Sequence, residues 1–329
     1  MDFNNLSELG LFFDSSLWNF VLISGSRIWV KRYIGNIWRV FVMDVYIIGA
    51  GTLGQATGIG LAMKGHNVVF NDVDGEKLGK LRERGYRAED KISSVILGSD
   101  VIFVCVPTPT VKGKMDFSIV KNVVINVGKR LRKAKKYQVV AVRSTVLPST
   151  TRCKVVPILE RYSRLKAGKD FGVCMNPEFL REMYALQDFL SPSRIVIGEF
   201  DKRSGDVLEE VYSSFKAPII RTDLDSAEMI KYVSNLFLAT KISFFNEMYI
   251  ICKRLGIDAN LVGKAVSLDP RIGEYGVYGG SPFDGKCLPK DLEAFRNFVK
   301  SLRINPKLLD AVSSINEKMK LLQNNRKSE

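Results

Sequence analysis

Apolar residues in this chain gather in short runs separated by amphipathic stretches, from Val45 to about residue 215. Val45–Ile48, Asn67–Asn71, Val101–Val106, Gln138–Val142, Gly172–Met175 and Arg194–Ile197 predict strands. Val101–Val106 is apolar at every position, as expected of a parallel strand buried on both faces. Between the strands, Gly54–Lys64, Glu76–Arg84, Val120–Lys133, Thr151–Arg161 and Asp206–Phe215 predict helices. Such alternation implies an α/β domain with a doubly wound parallel sheet.

After Thr222 the pattern changes. Ser226 to about Leu255 predicts one long helix without internal proline or glycine, led in by Asp223 and Asp225 and ended by Gly256. Asp258–Ser267 predicts a further helix, followed by a glycine-rich turn and a helix from Asp291 to Leu302. A last helix begins near Pro306, and its end, Asn324–Glu329, is expected to fray. Residues 1–42 fit neither regime: they hold Trp18, Trp29 and Trp38, lack cysteine and proline, and settle into no clear period. The expected domains are therefore an atypical extension at 1–42, a dinucleotide-binding domain at 43–222 and a mainly helical domain at 223–329. Met43 opens a self-contained strand and is a candidate start, which would make the preceding stretch a tag or an upstream start. An aromatic, basic arm for a membrane surface or a partner is the alternative.

Composition narrows the class. A length of 329 residues suffices for about two domains with cores of their own, and 46% hydrophobic with 26% charged residues is ordinary for a soluble globular protein. The five cysteines, at 105, 153, 174, 252 and 287, have no zinc-ligand or framework spacing, which points to free thiols in a reducing cytoplasm. No apolar run approaches the roughly 20 residues of a membrane span, and Asp2, Glu8 and Asp14 argue against a secretory signal. The net charge of +14 invites a polyanion. Its densest cluster, Lys129, Arg130, Arg132, Lys133, Lys135 and Lys136, wraps a helix end as a solvated surface would, and no nucleic-acid motif accompanies it. A cofactor and a substrate that each carry a diphosphate also suit a basic protein.

The chemistry begins at Val45-Tyr-Ile-Ile-Gly-Ala-Gly-Thr-Leu-Gly54, a strand running into G-x-G-x-x-G at a helix start. Gly49 permits the tight turn, Gly51 a close approach of pyrophosphate, and Gly54 close helix–strand packing. Asp72 ends the second strand, where a carboxylate accepts ribose hydroxyls and repels a 2′-phosphate, favouring NAD over NADP. Val104-Cys-Val-Pro-Thr-Pro109 and Arg143-Ser-Thr-Val-Leu-Pro148 end further strands at the carboxyl edge of the sheet, offering Pro107, Thr108, Ser144 and Thr145 to a ligand. Glu178 and Glu182, four apart after a strand, share a face if that segment is helical. Lys231 and Asn235 are an i, i+4 pair on the long helix, with Lys241, Asn246 and Glu247 further along. Cys287 follows Gly279-Gly-Ser-Pro-Phe-Asp-Gly285 and precedes Lys290 and Asp291, and a nearby ammonium favours the thiolate. The single histidine, His66, reads as structural, and no metal site is expected.

In this order, GAGTLG, VCVPTP, STVLPST, NPEFLRE, SAEMIKYVSNLFLATKISFFNE, DPRIG and the C-L-P-K-D of 287–291 resemble the nucleotide-sugar 6-dehydrogenases, and specifically their UDP-glucose 6-dehydrogenase branch. The resemblance implies two successive hydride transfers from a sugar C6 to two NAD molecules, through a thiohemiacetal and a thioester on Cys287. It assigns Lys231 and Asn235 to the C6 oxygen, Asp291 and Thr145 to water, and Glu178 to acid–base or water handling. It places Gly49, Gly51, Thr52, Leu53, Gly54, Asp72, Lys77, Pro107, Thr108, Ser144, Thr145, Glu182 and Lys290 at the cofactor. Phe179, Leu180, Lys231, Asn235, Arg271 and Gly285 fall to the sugar nucleotide, for which UDP-glucose is expected. It also implies a cytoplasmic homodimer through the long helix. Pro282 and Asp284 stand where the family has glycines, and Met183-Tyr184 replaces a small pair after NPEFLRE. The resemblance implies a further UDP-binding domain beyond these residues, so the chain is expected to be either a fragment or a short form completed by a separate chain. Two other readings remain: a single-step β-hydroxyacid-type dehydrogenase, and an inactive dinucleotide-binding protein.

Overall fold

The computed structural model describes residues 19–24, 27–34, 37–40, 42–285 and 287–328. Within the stretch read as lacking any period, three strands pair as an antiparallel sheet: β1 (Asn19–Ser24), β2 (Arg27–Ile34) and β3 (Ile37–Val40). Their registers join Ser24 to Arg27 and Ile34 to Ile37, leaving two-residue connections with the sequences Gly-Ser and Gly-Asn. Those pairs are hairpin signals. Basic and apolar residues occur at both odd and even positions from 27 to 34, so simple alternation concealed the strands. The expectation for residues 1–18 lies outside the described residues.

From Met43 onward the elements follow in chain order. They are β4 (Asp44–Ile48), α1 (Thr52–Met63), β5 (Asn67–Asn71), α2 (Gly75–Glu83), β6 (Arg87–Glu89) and β7 (Val101–Val104). A small hairpin, β8 (Thr110–Val111) and β9 (Lys114–Met115), precedes α3 (Ser118–Leu131), β10 (Val139–Val142) and α4 (Val156–Ser163). Next come β11 (Gly172–Met175), α5 (Ala185–Leu190), β12 (Ile195–Glu199), α6 (Lys202–Val211) and β13 (Ile219–Asp223). The helices α7 (Leu224–Leu255), α8 (Ala259–Ser267), α9 (Leu288–Ser301) and α10 (Lys307–Ser328) complete the chain. The chain divides into two units: Met1–Pro107 with Ser118–Glu228, and Thr108–Phe117 with Met229–Glu329.

The first unit holds an eight-stranded sheet in the order β13-β12-β11-β10-β7-β4-β5-β6. Strand β4 lies between β5 and β7, so the chain turns one way after β4 and the other way at β7. In open α/β sheets, ligands bind at the carboxyl ends of such a pair. Val45, Ile47, Val101, Phe103, Val139 and Ala141 are buried, and so are the intervening Tyr46, Ile102 and Val140, which explains the unbroken apolar runs. The sheet is not parallel throughout. Strand β11 meets β12 antiparallel, through Cys174 with Glu199 and Met175 with Gly198, and β13 then runs parallel to β12. Between β11 and β12 the segment 176–194 carries a short helix, α5, and no full crossover helix, so β12 returns in the opposite sense. Phe189 of α5 packs in T-shaped fashion with Phe215, and its ring lies where a side chain at Gly60 of α1 would stand.

The second unit is built on α7, a helix of 32 residues about 48 Å long. Asp223 caps its start by accepting the Ser226 N–H at 2.9 Å and the Ser226 hydroxyl at 2.6 Å. The first turn, to Glu228, belongs to the first unit and the remainder to the second. Helix α9 carries the hairpin β8–β9: the Thr110 hydroxyl donates to the Lys290 carbonyl at 3.1 Å and Asn297 Nδ2 to the Gly113 carbonyl at 2.9 Å. Instead of fraying at Asn324, α10 continues to Ser328.

Two glycines in helices separate packing from propensity. A Cβ on Gly54 would stand 1.7 Å from the Gly49 carbonyl oxygen, whereas one on Gly79 meets nothing within 4 Å. Gly54→Ala should therefore lower unfolding free energy by more than about 2 kcal/mol, and Gly79→Ala should raise it by roughly 0.5–1 kcal/mol, both measured by denaturant titration.

Candidate functional site

In the first unit the glycine loop is shaped by the strand it leaves. Gly49 has φ +98°, a conformation that L side chains rarely adopt, and its N–H donates to the Asn71 carbonyl at 2.8 Å. Gly51 is the N-cap of α1 and provides no side-chain cap, so the amides of Thr52 and Leu53 begin the helix without one, and a Cβ on Gly51 would meet only open space. Uncapped amides at the positive end of a 12-residue helix fit a diphosphate. Asp72 is half-buried and binds the same loop: Oδ2 accepts the Ala50 N–H at 2.6 Å and Oδ1 the Asp74 N–H at 3.0 Å. Each oxygen retains a lone pair for a ribose hydroxyl. Lys77 pairs with the α2 cap Asp74 at 3.1 Å, beside Asp72.

At the carboxyl ends of β7 and β10, Ser144 is buried and its hydroxyl lies 2.6 Å from the Val106 carbonyl, joining the two strand exits. That hydroxyl holds the loop, a job the motif alone did not reveal, while Thr145 beside it is half-buried. Pro107 is exposed and Thr108, first residue of the second unit, is buried. Glu178 and Glu182 do not share a helical face. Residues 176–181 are irregular; Glu178 is buried and accepts the Leu180 N–H at 2.6 Å, whereas Glu182 is exposed at the start of a single 3₁₀ turn. Pro177 and the local Glu178–Leu180 bond favour a turn over a helix here. Phe179 lies under the Arg194 guanidinium at 3.8 Å, and Leu180 is half-buried.

A residue quoted only as part of a motif organises this edge. Arg143 is buried, donating to Thr57 Oγ1 at 2.9 Å, to Asn176 Oδ1 at 2.5 Å and to the Tyr212 hydroxyl at 3.2 Å, with Phe189 facing it. The guanidinium thus fixes the strand ends that lead into Ser144-Thr145 and into Pro177-Glu178. A charged residue inside an otherwise apolar strand end was the available signal. His66, also buried, meets the Met43 N–H at 3.2 Å and the Val211 carbonyl at 3.0 Å, and burial lowers its pKa. It is structural.

In the second unit, Lys231 is 3% exposed, which excludes a surface lysine. Asn235, one turn further, donates from Nδ2 to Asp291 Oδ2 at 2.7 Å. Asp291 is 1% exposed, and its other oxygen meets Lys290 Nζ at 2.5 Å. The Lys290 ammonium is thus turned to Asp291. Cys287 is exposed and stands at the N-cap of α9, where the positive end of a helix favours a thiolate. Cys105 and Cys174 differ: burial pushes both up to about 12.

The turn before Cys287 is gripped from two helices. Asn246, fully buried on α7, accepts the Gly280 N–H at 2.8 Å and donates to the Ser281 carbonyl at 2.9 Å. Asn316 on α10 accepts the Phe283 N–H at 2.8 Å and donates to its carbonyl at 3.1 Å. Pro282 lies between these clamps and is half-buried, Asp284 follows the second and is exposed, and Gly285 takes φ +84°. Lys241 donates to the Ile272 and Gly273 carbonyls at 2.6 and 3.0 Å, and Glu247 is exposed. Arg271 is exposed and forms a fork with Asp269. In the basic cluster, Lys136 pairs with Asp100 at 2.6 Å and Lys129 lies over the Tyr162 ring. Among the described residues no group of three His, Cys, Asp or Glu could hold a metal, and no helix is long and apolar enough to cross a membrane.

With a dinucleotide loop in one unit and a thiol beside a buried lysine–asparagine–aspartate set in the other, the comparisons with known proteins agree. Residues 82–216 match the NAD binding domain, and 225–318 the central domain, of the UDP-glucose/GDP-mannose dehydrogenase family. The chain is 38% identical over 298 residues to GDP-mannose 6-dehydrogenase of Pseudomonas putida, covering 84% of this chain and 68% of that protein. It is 37% identical over 298 residues to UDP-glucose 6-dehydrogenase TuaD of Bacillus subtilis, covering 84% and 63%. A solved UDP-glucose dehydrogenase from the hyperthermophilic archaeon Pyrobaculum islandicum superposes with TM-score 0.78 at 36% identity, covering 84% of this chain and 68% of that one. The chain belongs to the UDP-glucose/GDP-mannose dehydrogenase family, and its cofactor is NAD.

Asp72→Ala removes the acceptor offered to the ribose. NAD affinity, measured by calorimetry, should fall at least about tenfold, the effect of one lost charge-assisted hydrogen bond.

Proposed function

We propose that this chain oxidises the C6 primary alcohol of a nucleotide sugar to the carboxylate, with UDP-glucose as substrate. The observation that carries the reading is Cys287 at the start of α9, with Asp291 of the same helix bonded to Asn235, one turn from the buried Lys231. Bound NAD supplies the acceptor for each of two hydrides, so one alcohol, two NAD⁺ and one water give one carboxylate, two NADH and three protons. The Cys287 thiolate adds to the aldehyde carbon, and the resulting thiohemiacetal becomes a thioester when the second hydride leaves. Lys231 and Asn235 donate to the C6 oxygen while it carries negative charge. Asp291, already an acceptor, takes a proton from the water that cleaves the thioester and returns the thiolate. For Thr145 and Glu178 we propose the water-handling roles, and for Phe179, Leu180, Arg271 and Gly285 contacts to the sugar nucleotide. Pro107, Thr108, Ser144, Glu182 and Lys290 belong to the cofactor side.

A homodimer through α7 is part of the same proposal. Met229, Val233, Phe237, Phe244, Ile251 and Leu255 are exposed along this helix, more apolar surface than a monomer ordinarily leaves in water. A groove of about 450 Å³ on the same helix is lined by Phe237, Phe244, Met248, Val262 and Val266. Similarity to a GDP-mannose 6-dehydrogenase makes GDP-mannose the second substrate to test.

Incubated with UDP-glucose, the chain should release two NADH per sugar acid formed, and Cys287→Ser should cut acid formation at least about a hundredfold. One NADH per turnover with an unaffected Cys287→Ser variant would indicate a single-step dehydrogenase. The same assay with GDP-mannose decides the sugar.

A further inference from the structure

Glu228 has no exposed surface and lies one turn into α7, three residues before Lys231 and seven before Asn235. That spacing puts the three on one stripe of the helix, and all are buried. Its Oε1 accepts the Thr151 N–H at 2.7 Å, but Oε2 has no hydrogen-bond partner. Two other buried oxygens in the same place lack one as well: Thr151 Oγ1 and Asp225 Oδ1. The Thr151 hydroxyl lies close enough to the carboxyl to pull on its proton without reaching hydrogen-bond geometry. Thr151 opens the π-helical turn 151–155, just after Ser149, whose φ is +68°.

For two carboxylate oxygens, Glu228 Oε2 and Asp225 Oδ1, the Thr151 hydroxyl brings a single proton, and burial penalises the Glu228 charge again. The charged group that acts on Glu228 is Asp225, on the same helix α7, and Arg152 of the π-turn donates to Asp225 Oδ2 at 2.9 Å. Burial first, and the Asp225 charge in addition, push the Glu228 carboxyl up to about 7 against the opposing pull of the Thr151 side chain and N–H and of the Ser149 backbone.

We propose that Glu228 works as a protonated acid, a positioning residue whose Oε1 holds the Thr151 N–H while the proton on Oε2 serves Asp225 Oδ1 and Thr151 Oγ1. This latch fixes the π-helical turn that starts at Thr151 to the first turn of α7. Only its effect on turnover rests on the proposed oxidation.

Glu228→Gln keeps the acceptor and replaces the proton with a permanent amide donor, whereas Glu228→Ala removes both. An acid whose folded pKa is raised contributes stability that is complete below its unfolded value of 4.5 and lost as pH rises through about 7. The melting temperature of the wild type should therefore fall steadily, relative to Glu228→Gln, from about pH 5 and level off above about pH 7.5, and Glu228→Ala should melt lower throughout. His66 is common to all three proteins and cancels from the difference. In NADH formation with UDP-glucose, Glu228→Gln should stay within about threefold of wild type and resist the alkaline decline, while Glu228→Ala should lose at least about tenfold. Parallel wild-type and Glu228→Gln melting curves would overturn the proposal. So would a Glu228→Gln variant as unstable as Glu228→Ala at pH 6, or wild-type stabilisation by potassium or magnesium at pH 8, which would make the pocket a cation site. The melting experiments need no substrate, so they decide the latch even if no nucleotide sugar is oxidised.

Discussion

The hydrogen bond between Asn235 and Asp291 is the constraint on which the second unit depends. Burying Asp291 as an unaccompanied carboxylate would carry a heavy desolvation cost. Asn235 Nδ2 on one oxygen and Lys290 Nζ on the other make the burial tolerable. The bond also joins α7 to the first turn of α9, and that turn starts at Cys287. Removing it would therefore disturb an acid, a lysine-bearing helix face and the placement of the thiol at once. The clamps of Asn246 and Asn316 serve the same end by fixing the turn that delivers the chain to α9.

The first unit solves a comparable problem with backbone. Its glycine loop opens α1 without a side-chain cap, and it is shaped from outside, by Asp72 on the Ala50 N–H and by the close approach of Gly54 to Gly49. Arg143 then ties two further strand ends together through neutral acceptors. Both arrangements hold loops in place with buried polar groups, which cost stability wherever a partner is missing. Glu228 is the instructive exception, with one oxygen paired and one not.

The sequence was most legible where one physical signal dominated. Unbroken apolar runs gave the central strands because those strands are buried on both faces, and the absence of glycine and proline gave α7. The strand-glycine-helix pattern located the cofactor loop. Short elements were missed: β6 and β13 have weak apolar patterns, and the hairpin β8–β9 is set by tertiary bonds to α9. The antiparallel β12 escaped for a related reason, since strand direction is decided by the connection and not by the strand's own residues. Spacing put Lys231 and Asn235 on one helix face but could not reveal that they and Asp291 are buried. It also suggested a helical Glu178–Glu182 pair that local turn bonding prevents. Arg143 and Glu228 were invisible as functional residues because their importance lies in what they touch.

The oxidation proposed for this chain passes through a covalent intermediate on one of two exposed thiols. Its most direct measurement is peptide mass spectrometry of the chain, acid-quenched during turnover with UDP-glucose and NAD. The expected result is a sugar-nucleotide acyl adduct on the peptide containing Cys287, absent when NAD is omitted, with Cys153 unmodified. Accumulation of oxidised sugar with no adduct on Cys287 at any time point would contradict it.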